Sequence, residues 1–194
     1  MTLQITFPIN SWDGDFILVH IYSGWVGYLF PFITLLQGEK TTMRKSAGII
    51  LFRKKKSQIE VFLVHPGGPI WKKKDAGAWS IPKGEFSEDE EPLSAAIREF
   101  KEETGHDLKG IPFSLNPIKQ KGGKWVYAWG IEGDIDADAI ISNSFKMEWP
   151  YKSGKWLTFP EVDKAAWFDI QEAKIKINPA QAVLIEDLIS KVEV

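Results

Sequence analysis

Beyond residue 45, apolar and polar positions are arranged in blocks whose spacing predicts strands and helices in a mixed order. Runs rich in β-branched and aromatic residues predict strands, and apolar positions three or four residues apart predict helices. The predicted strands cover residues 46–53, 59–66, 78–82, 121–133 (a turn entering a strand) and 165–168. The predicted helices cover residues 91–105, 169–177 and 179–192. This order indicates an α/β (α+β) sandwich.

The helix predicted over residues 91–105 has an apolar stripe and a separate acidic face. Pro92 suits the first helical position, and Gly105 suits the residue just beyond the end. The apolar stripe, with spacings of three and four residues, consists of Leu93, Ala96, Ile97 and Phe100. The acidic face, also spaced by three and four residues, consists of Glu99, Glu102 and Glu103.

Three carboxylates on one helix face repel one another, at a cost of a few tenths of a kcal/mol for each pair. A bound divalent cation would turn that repulsion into coordination, and ligands made only of oxygen suit Mg²⁺, with Mn²⁺ as a substitute. Taken alone, a glutamate-rich helix face is usually solvated surface. The residues around this face therefore decide its interpretation.

The spacing of those residues resembles the signature of the Nudix hydrolase family, G-x5-E-x7-R-E-U-x-E-E-x-G-U, in which U is a bulky aliphatic residue. The matching positions of fixed identity are Gly84, Glu90, Arg98, Glu99, Glu102, Glu103 and Gly105. At background residue frequencies, agreement by chance is on the order of 10⁻⁸ per register. The last position departs from the signature because it holds His106, which we expect to be packed rather than catalytic.

The resemblance covers roughly residues 44–192 and implies both a fold and residue roles. The implied fold is an α/β/α sandwich with a mixed β-sheet, in which the signature forms a loop–helix–loop. The implied metal ligands are the backbone carbonyl of Gly84 and the carboxylates of Glu99, Glu102 and Glu103. An ion pair between Glu90 and Arg98 is implied to hold the helix against the preceding loop.

The family's chemistry is the attack of water on a phosphorus atom of a nucleoside diphosphate linked to another group. The resemblance therefore implies a pyrophosphohydrolase that depends on Mg²⁺. A carboxylate must still collect a proton or orient the water, and Glu102 or Glu103 could do so. Some relatives carry this base on a separate loop, for which Glu148 is the candidate. The alternative is a non-catalytic module that senses a nucleotide, but such a module would be expected to lose the glutamates of the signature.

The segment before the signature bears on the substrate. The residues Trp79-Ser80-Ile81-Pro82-Lys83-Gly84 resemble the diadenosine polyphosphate hydrolase branch of the family. A lysine at position 83 could neutralise an additional phosphate, and Trp79 is a candidate for stacking on a base. We therefore expect a dinucleoside polyphosphate such as diadenosine tetraphosphate as the substrate, with a nucleoside triphosphate or ADP-ribose as alternatives.

Composition and charge exclude several other classes of function. The net charge of −2 and the pI near 6.0 do not indicate binding to nucleic acid. The absence of cysteine excludes disulfides, thiolate metal sites and cysteine nucleophiles. The three histidines lie far apart in sequence, so we expect a hard cation held by carboxylates. We expect a cytoplasmic protein that binds a small nucleotide, and its oligomeric state stays open.

Residues 1–42 are of uncertain status beside a Nudix domain at residues 43–194. Residues 16–38 contain no Asp, Glu, Lys or Arg and are numerous enough to span a bilayer as a helix. Three alternatives remain open: a membrane anchor with the domain on the cytoplasmic side, additional strands of a soluble protein, or a segment upstream of a natural start at Met43. We favour the third, because every feature that a Nudix domain needs follows Met43.

Overall fold

The computed structural model describes residues 4–10, 16–22, 34–35 and 44–192. The chain divides into two compact units, Met1–Thr42 and Met43–Val194. The first unit contains an antiparallel sheet of three strands in the order β1-β2-β3. These strands are β1 (Gln4–Asn10), β2 (Phe16–Tyr22) and β3 (Thr34–Leu35).

The apolar run at residues 16–38 begins as strand β2, which differs from a helix spanning a membrane. Apart from β3, the rest of that run lies outside the described residues. Within the described parts of the chain, no helix has both the length and the apolar character needed to cross a bilayer.

The second unit is built on a mixed sheet of seven strands. Five of them follow the order β12-β5-β4-β9-β7, with β6 paired to β4 and β8 paired to β9. The pair β4–β9 is parallel and the other pairs are antiparallel. The strands are β4 (Lys45–Lys55), β5 (Gln58–Pro66), β6 (Lys83–Glu85), β7 (Phe113–Ser114), β8 (Ile118–Lys119), β9 (Trp125–Glu132) and β12 (Val162–Asp169).

A separate hairpin and three α-helices complete this unit. The hairpin pairs β10 (Ser144–Glu148) with β11 (Trp156–Pro160) in antiparallel register. The α-helices are α1 (Pro92–Thr104), α2 (Ile170–Lys176) and α3 (Ala182–Val192). Short 3₁₀ turns occupy Ala137–Ala139 and Pro179–Gln181.

The sheet lies between two hydrophobic cores, because side chains alternate between its faces along each strand. On β4, Ile50 and Phe52 belong to the core that includes α2 and α3, whereas Ile49 and Leu51 belong to the core that includes α1. Helices thus cover both faces of a mixed sheet. The α/β/α sandwich expected from the sequence is confirmed.

One predicted strand and one predicted helix face differ from the structure. Residues 78–82 form only isolated bridges, and the strand begins at Lys83. Pro82 has no N–H to donate to a ladder, which accounts for the interruption. On α1, the buried residues are Ala95, Ala96, Phe100 and Thr104. Ile97 is 41% exposed, so the apolar stripe and the buried face of α1 coincide only in part.

Candidate active site

Helix α1 carries the acidic face, and both of its ends are stabilised by the residues around them. The Glu91 carboxylate accepts a hydrogen bond from the Ser94 amide at 2.7 Å, which caps the amino end. Pro92 occupies the first turn, where its missing N–H costs nothing. Gly105 ends the helix with φ of 75°, and its N–H donates to the Lys101 carbonyl at 2.7 Å. The helix is therefore a well-defined platform for the glutamates.

The backbone of β6 lies directly against two of these glutamates. A Cβ at Gly84 would come within 1.8 Å of Oε2 of Glu99, so only glycine leaves room for this carboxylate. The amide of Lys83 donates to Oε2 of Glu103 at 3.2 Å. Strand β6 is held in turn by β4, where Gly84 pairs with Ala47. The sheet thus positions the Gly84 backbone beside the carboxylate face of α1.

Arg98 joins the loop before α1 to the acidic face. Its guanidinium donates to both carboxylate oxygens of Glu90, with Nε–Oε1 at 2.9 Å and Nη2–Oε2 at 3.0 Å. Its Nη1 also donates to Glu99 at 2.7 Å and to Glu102 at 3.1 Å. The hydrogen bonds from Glu90 raise the pKa of Arg98, and the same contact lowers the pKa of Glu90. The structure therefore brings the predicted pair together and joins it to the acidic face.

Burial disfavours charge at the centre of the site. It raises the pKa of Glu103 to about 8, although the nearby Lys83 opposes that shift. Burial also raises the pKa of Glu99 and lowers the pKa of Lys83. These shifts are expected of charged groups removed from water. A bound cation would favour the ionised carboxylates again.

The donor set and the space at Gly84 fit a hard divalent cation. The side-chain donors are carboxylate oxygens, the kind of ligand that Mg²⁺ and Mn²⁺ prefer. In the described part of the chain, no three carboxylates converge on one point as they would around an ion. Instead, Glu99 and Glu102 are turned towards Arg98, and Glu103 accepts from Lys83. All three carboxylates nevertheless come from one face of α1, within about one helical turn.

A cleft of about 220 Å³ opens beside β6 and α1. Lys83 and Glu103 line it, so the predicted lysine lies at the same cleft as the acidic face. Trp71 and Glu161, which the sequence did not single out, line it as well. Glu161 precedes β12 and is near enough to Glu99 and Glu103 to raise the pKa of both carboxyls.

Two predicted site residues have surroundings that fit their expected roles less well. Trp79 lines the same cleft as Lys83 and Glu103, but it is only 4% exposed. Its Nε1 donates to Asp75 at 2.9 Å, and its ring packs edge-on against Phe168. Little of that ring is left for stacking on a base. Glu148 lies on β10, where its carboxylate accepts a hydrogen bond from the Gly154 amide at 2.5 Å. Glu148 is not among the described residues that line the cleft.

Comparison with known proteins agrees with this geometry. A profile of the NUDIX domain matches residues 42–188. The asymmetrical bis(5'-nucleosyl)-tetraphosphatase of Rattus norvegicus is 27% identical over 145 residues, which cover 68% of this chain and 90% of that protein. The RNA pyrophosphohydrolase of Brucella anthropi is 29% identical over 101 residues, covering 52% of this chain and 47% of that protein.

Among solved structures, the binary complex of the C. elegans Ap4A hydrolase has a similar fold. Its TM-score is 0.54 at 21% identity, with 77% of this chain and 98% of that chain covered.

Proposed function

This chain belongs to the NUDIX family of pyrophosphohydrolases, and we propose that it hydrolyses dinucleoside polyphosphates such as diadenosine tetraphosphate in the presence of Mg²⁺. One observation carries the proposal: Glu103, which belongs to the acidic face of α1, lines one cleft together with Lys83 and Trp71. Such a cleft offers metal ligands, a cation for phosphate and a surface for a base. The asymmetrical tetraphosphatase among the relatives supports the same substrate class.

The residues that would hold the cation come from β6 and α1. We assign this role to the Glu99, Glu102 and Glu103 carboxylates and to the backbone carbonyl of Gly84, with Mn²⁺ able to replace Mg²⁺. The bound ion supplies charge neutralisation of the phosphates and a lower pKa for an attacking water. Arg98 keeps the carboxylates together by its hydrogen bonds to Glu99 and Glu102.

A carboxylate must orient the attacking water and accept its proton. Glu102 and Glu103 remain candidates because they lie on the acidic face. We add Glu161, since it comes from a separate segment and borders the cleft together with Glu103. Glu161 takes the place that the sequence suggested for Glu148, whose carboxylate is engaged by Gly154.

Lys83 is the proposed basis of preference for a long polyphosphate. Burial lowers the pKa of Lys83, and an anionic phosphate in the cleft would favour its charged form. A chain of four phosphates carries more negative charge than the pyrophosphate of ADP-ribose. Replacement of Lys83 should therefore lower kcat/KM more for the longer polyphosphate than for ADP-ribose.

A substrate panel tests this proposal. We expect kcat/KM to be higher for diadenosine tetraphosphate than for ATP, ADP-ribose or a 5'-triphosphorylated RNA at one fixed Mg²⁺ concentration. Lys83→Ala should lower the value for the dinucleotide more than the value for ADP-ribose. Lys54→Ala, at the far end of β4, is the matched control and should change neither.

A different leading substrate in the panel, with an equal effect of Lys83→Ala on all substrates, would contradict the assignment. The RNA pyrophosphohydrolase among the relatives makes the RNA arm of the panel informative. The class of reaction would be unaffected by that result.

A further inference from the structure

His65 is a fully buried histidine at the end of β5 that the proposed chemistry does not use. Its Nδ1 lies 2.7 Å from Oδ1 of Asp163, and its Nε2 lies 2.8 Å from the backbone carbonyl oxygen of Lys74. Both partners accept hydrogen bonds. The two ring nitrogens of His65 thus join the Asp163 side chain to the Lys74 backbone.

An irregularity in β12 directs Asp163 towards this histidine. The register between β12 and β5 shifts between Val162, which pairs with Pro66, and Lys164, which pairs with His65. Asp163 is therefore the additional residue of a bulge. Bulges change the direction of a side chain and often lie next to active sites. This one begins two residues after Glu161, which borders the cleft.

The loop that His65 holds carries Trp71 to the cleft. Lys74 is the link, because its carbonyl accepts from His65 while its amide donates to the Trp71 carbonyl at 2.7 Å. The Lys74 ammonium also lies 4.5 Å from the centre of the Trp71 ring. Trp71 is 36% exposed and lines the cleft together with Lys83 and Glu103. The ring is thus available to a ligand, unlike that of Trp79.

The ends of this loop are fixed by backbone hydrogen bonds, and the contact with His65 lies between them. At one end, the Gly67 amide donates to the Glu161 carbonyl at 2.8 Å. At the other end, the Gly77 amide donates to the Ile175 carbonyl at 3.0 Å. The His65–Lys74 hydrogen bond joins the middle of the loop to the sheet. The adjoining Asp75 is also held, by Trp79 Nε1 at 2.9 Å and by Lys176 Nζ at 2.6 Å. Loss of the His65–Lys74 hydrogen bond would therefore loosen the part of the loop before Asp75, which carries Trp71.

We propose that His65 and Asp163 are positioning residues that hold Trp71 and Lys74 at the mouth of the cleft, where the Trp71 ring stacks on a base of the substrate. This inference rests on the proposed function, since it concerns how a nucleotide is held in the same cleft. Neither positioning residue contacts the reacting phosphates. Their loss should weaken substrate binding and leave the chemical step unchanged.

Steady-state kinetics of Trp71→Ala, Asp163→Ala and the double variant test the proposal. Asp163 is the better target than His65, because its side chain is 30% exposed and its replacement leaves no cavity in the core. Each single variant should raise KM about tenfold, the size expected for the loss of one stacking contact, with kcat within about twofold. The double variant should raise KM no further, because both changes remove the same contact.

Asp163→Asn provides the conservative rescue, since its amide NH2 can donate to Nδ1 of His65 while Nε2–H donates to the Lys74 carbonyl. Its KM should return most of the way towards the wild-type value. Glu60→Gln is the matched control for a broken ion pair, because Glu60 lies on the same strand as His65 and pairs with Arg53. It should leave KM unchanged.

These measurements use whichever nucleotide of the substrate panel the wild-type protein prefers. A failure of the proposed substrate then appears as a change in the preferred nucleotide, and the positioning role is still tested. An unchanged KM in Trp71→Ala or Asp163→Ala would overturn the role. A fall in kcat at constant KM, or a double variant whose KM increase equals the product of the single increases, would overturn it as well.

Discussion

At the residue scale, burial and charge oppose each other at Glu103. Its pKa of about 8 lies well above the ordinary value of 4.5, because burial disfavours the ionised form. The unfolded chain loses this proton near pH 4.5, whereas the folded, metal-free chain keeps it up to about pH 8. The free energy of unfolding of the metal-free protein therefore falls as pH rises through this window. A cation bound to Glu103 must displace the proton.

This competition predicts that Mg²⁺ stabilises the protein more at pH 8 than at pH 6. The apparent affinity for Mg²⁺ should be weaker at pH 6 by at least about tenfold, since each pH unit below the pKa costs about tenfold. Thermal unfolding at a series of Mg²⁺ concentrations, at pH 6 and at pH 8, measures this apparent affinity. Glu103→Gln should show a smaller Mg²⁺-induced rise in Tm that depends less on pH than in the wild-type protein, with Glu99 as the remaining carboxyl of raised pKa. Equal stabilisation of the wild-type protein at pH 6 and pH 8 would refute this role of Glu103.

Sequence reasoning found the site residues that lie close together in the chain and missed those that do not. Glu99, Glu102 and Glu103 share a helix face at fixed spacing, so their mutual distance follows from helix geometry. Trp71 and Glu161 reach the cleft through a loop held by His65 and a segment before a strand bulge. Such placements depend on tertiary contacts such as that between His65 and Asp163, which lie 98 residues apart, and no local sequence pattern predicts them.

At the element scale, the contact between β6 and α1 forms the site. Gly84 is required there for space, because its backbone does not occupy the left-handed region and any residue could adopt it. The strand presents its backbone to Glu99, and Arg98 holds the helix to the preceding loop. The distance between strand and helix therefore sets the separation between the Gly84 carbonyl and the carboxylates.

Gly84→Ala should accordingly lower kcat/KM by about 100-fold, because a displacement of about 1 Å at the site costs that much in rate. Circular dichroism should show the same fold as in the wild-type protein. Gly133→Ala is the matched control, since its new Cβ meets only a Leu51 methyl at 3.1 Å and the Lys109 carbonyl at 3.4 Å. Gly133 is far from Gly84 along β4, because its backbone N–H donates to the carbonyl of Phe52, whereas Gly84 pairs with Ala47. Wild-type activity in Gly84→Ala would show that the carboxylate face does not need this approach.

The elements predicted best are those with a strong burial pattern. Strands β4, β5 and β9 and helix α1 each bury one or both faces. The spacing of their apolar residues in the sequence therefore indicates each element. The two-residue strands β7 and β8 are too short to show a period. The hairpin of β10 and β11 was missed because its apolar residues are partly exposed, with Trp156 at 66% and Leu157 at 44%.

At the scale of the whole molecule, the unit Met43–Val194 contains both hydrophobic cores and the described candidate site. The sequence profile of the family matches residues 42–188, nearly the same span. We therefore propose that residues 1–42 are dispensable for folding and for catalysis.

The order of strands and helices was predictable because each one carries its own periodicity, whereas the pairing of β4 with β9 was not, since it joins residues about 80 apart.

A chain that begins at Met43 should fold and should keep kcat/KM within about twofold of the full-length value, because it retains a core large enough for a single domain. Solubility, far-ultraviolet circular dichroism and the standard activity assay measure this. An insoluble truncated chain beside a soluble full-length protein would show that residues 1–42 complete the core.

The central claim is that the acidic face of α1 holds a divalent cation that the hydrolysis of a pyrophosphate linkage requires. The most direct measurement is the initial rate of diadenosine tetraphosphate hydrolysis as a function of Mg²⁺ concentration, for the wild-type protein and for Glu103→Gln. We predict a rate that saturates with Mg²⁺, disappears with EDTA and falls by roughly 10²–10³ in Glu103→Gln, the loss expected for an interaction of about 3–4 kcal/mol in the transition state. Undiminished turnover in EDTA, or a Glu103→Gln variant as fast as the wild-type protein, would contradict the claim.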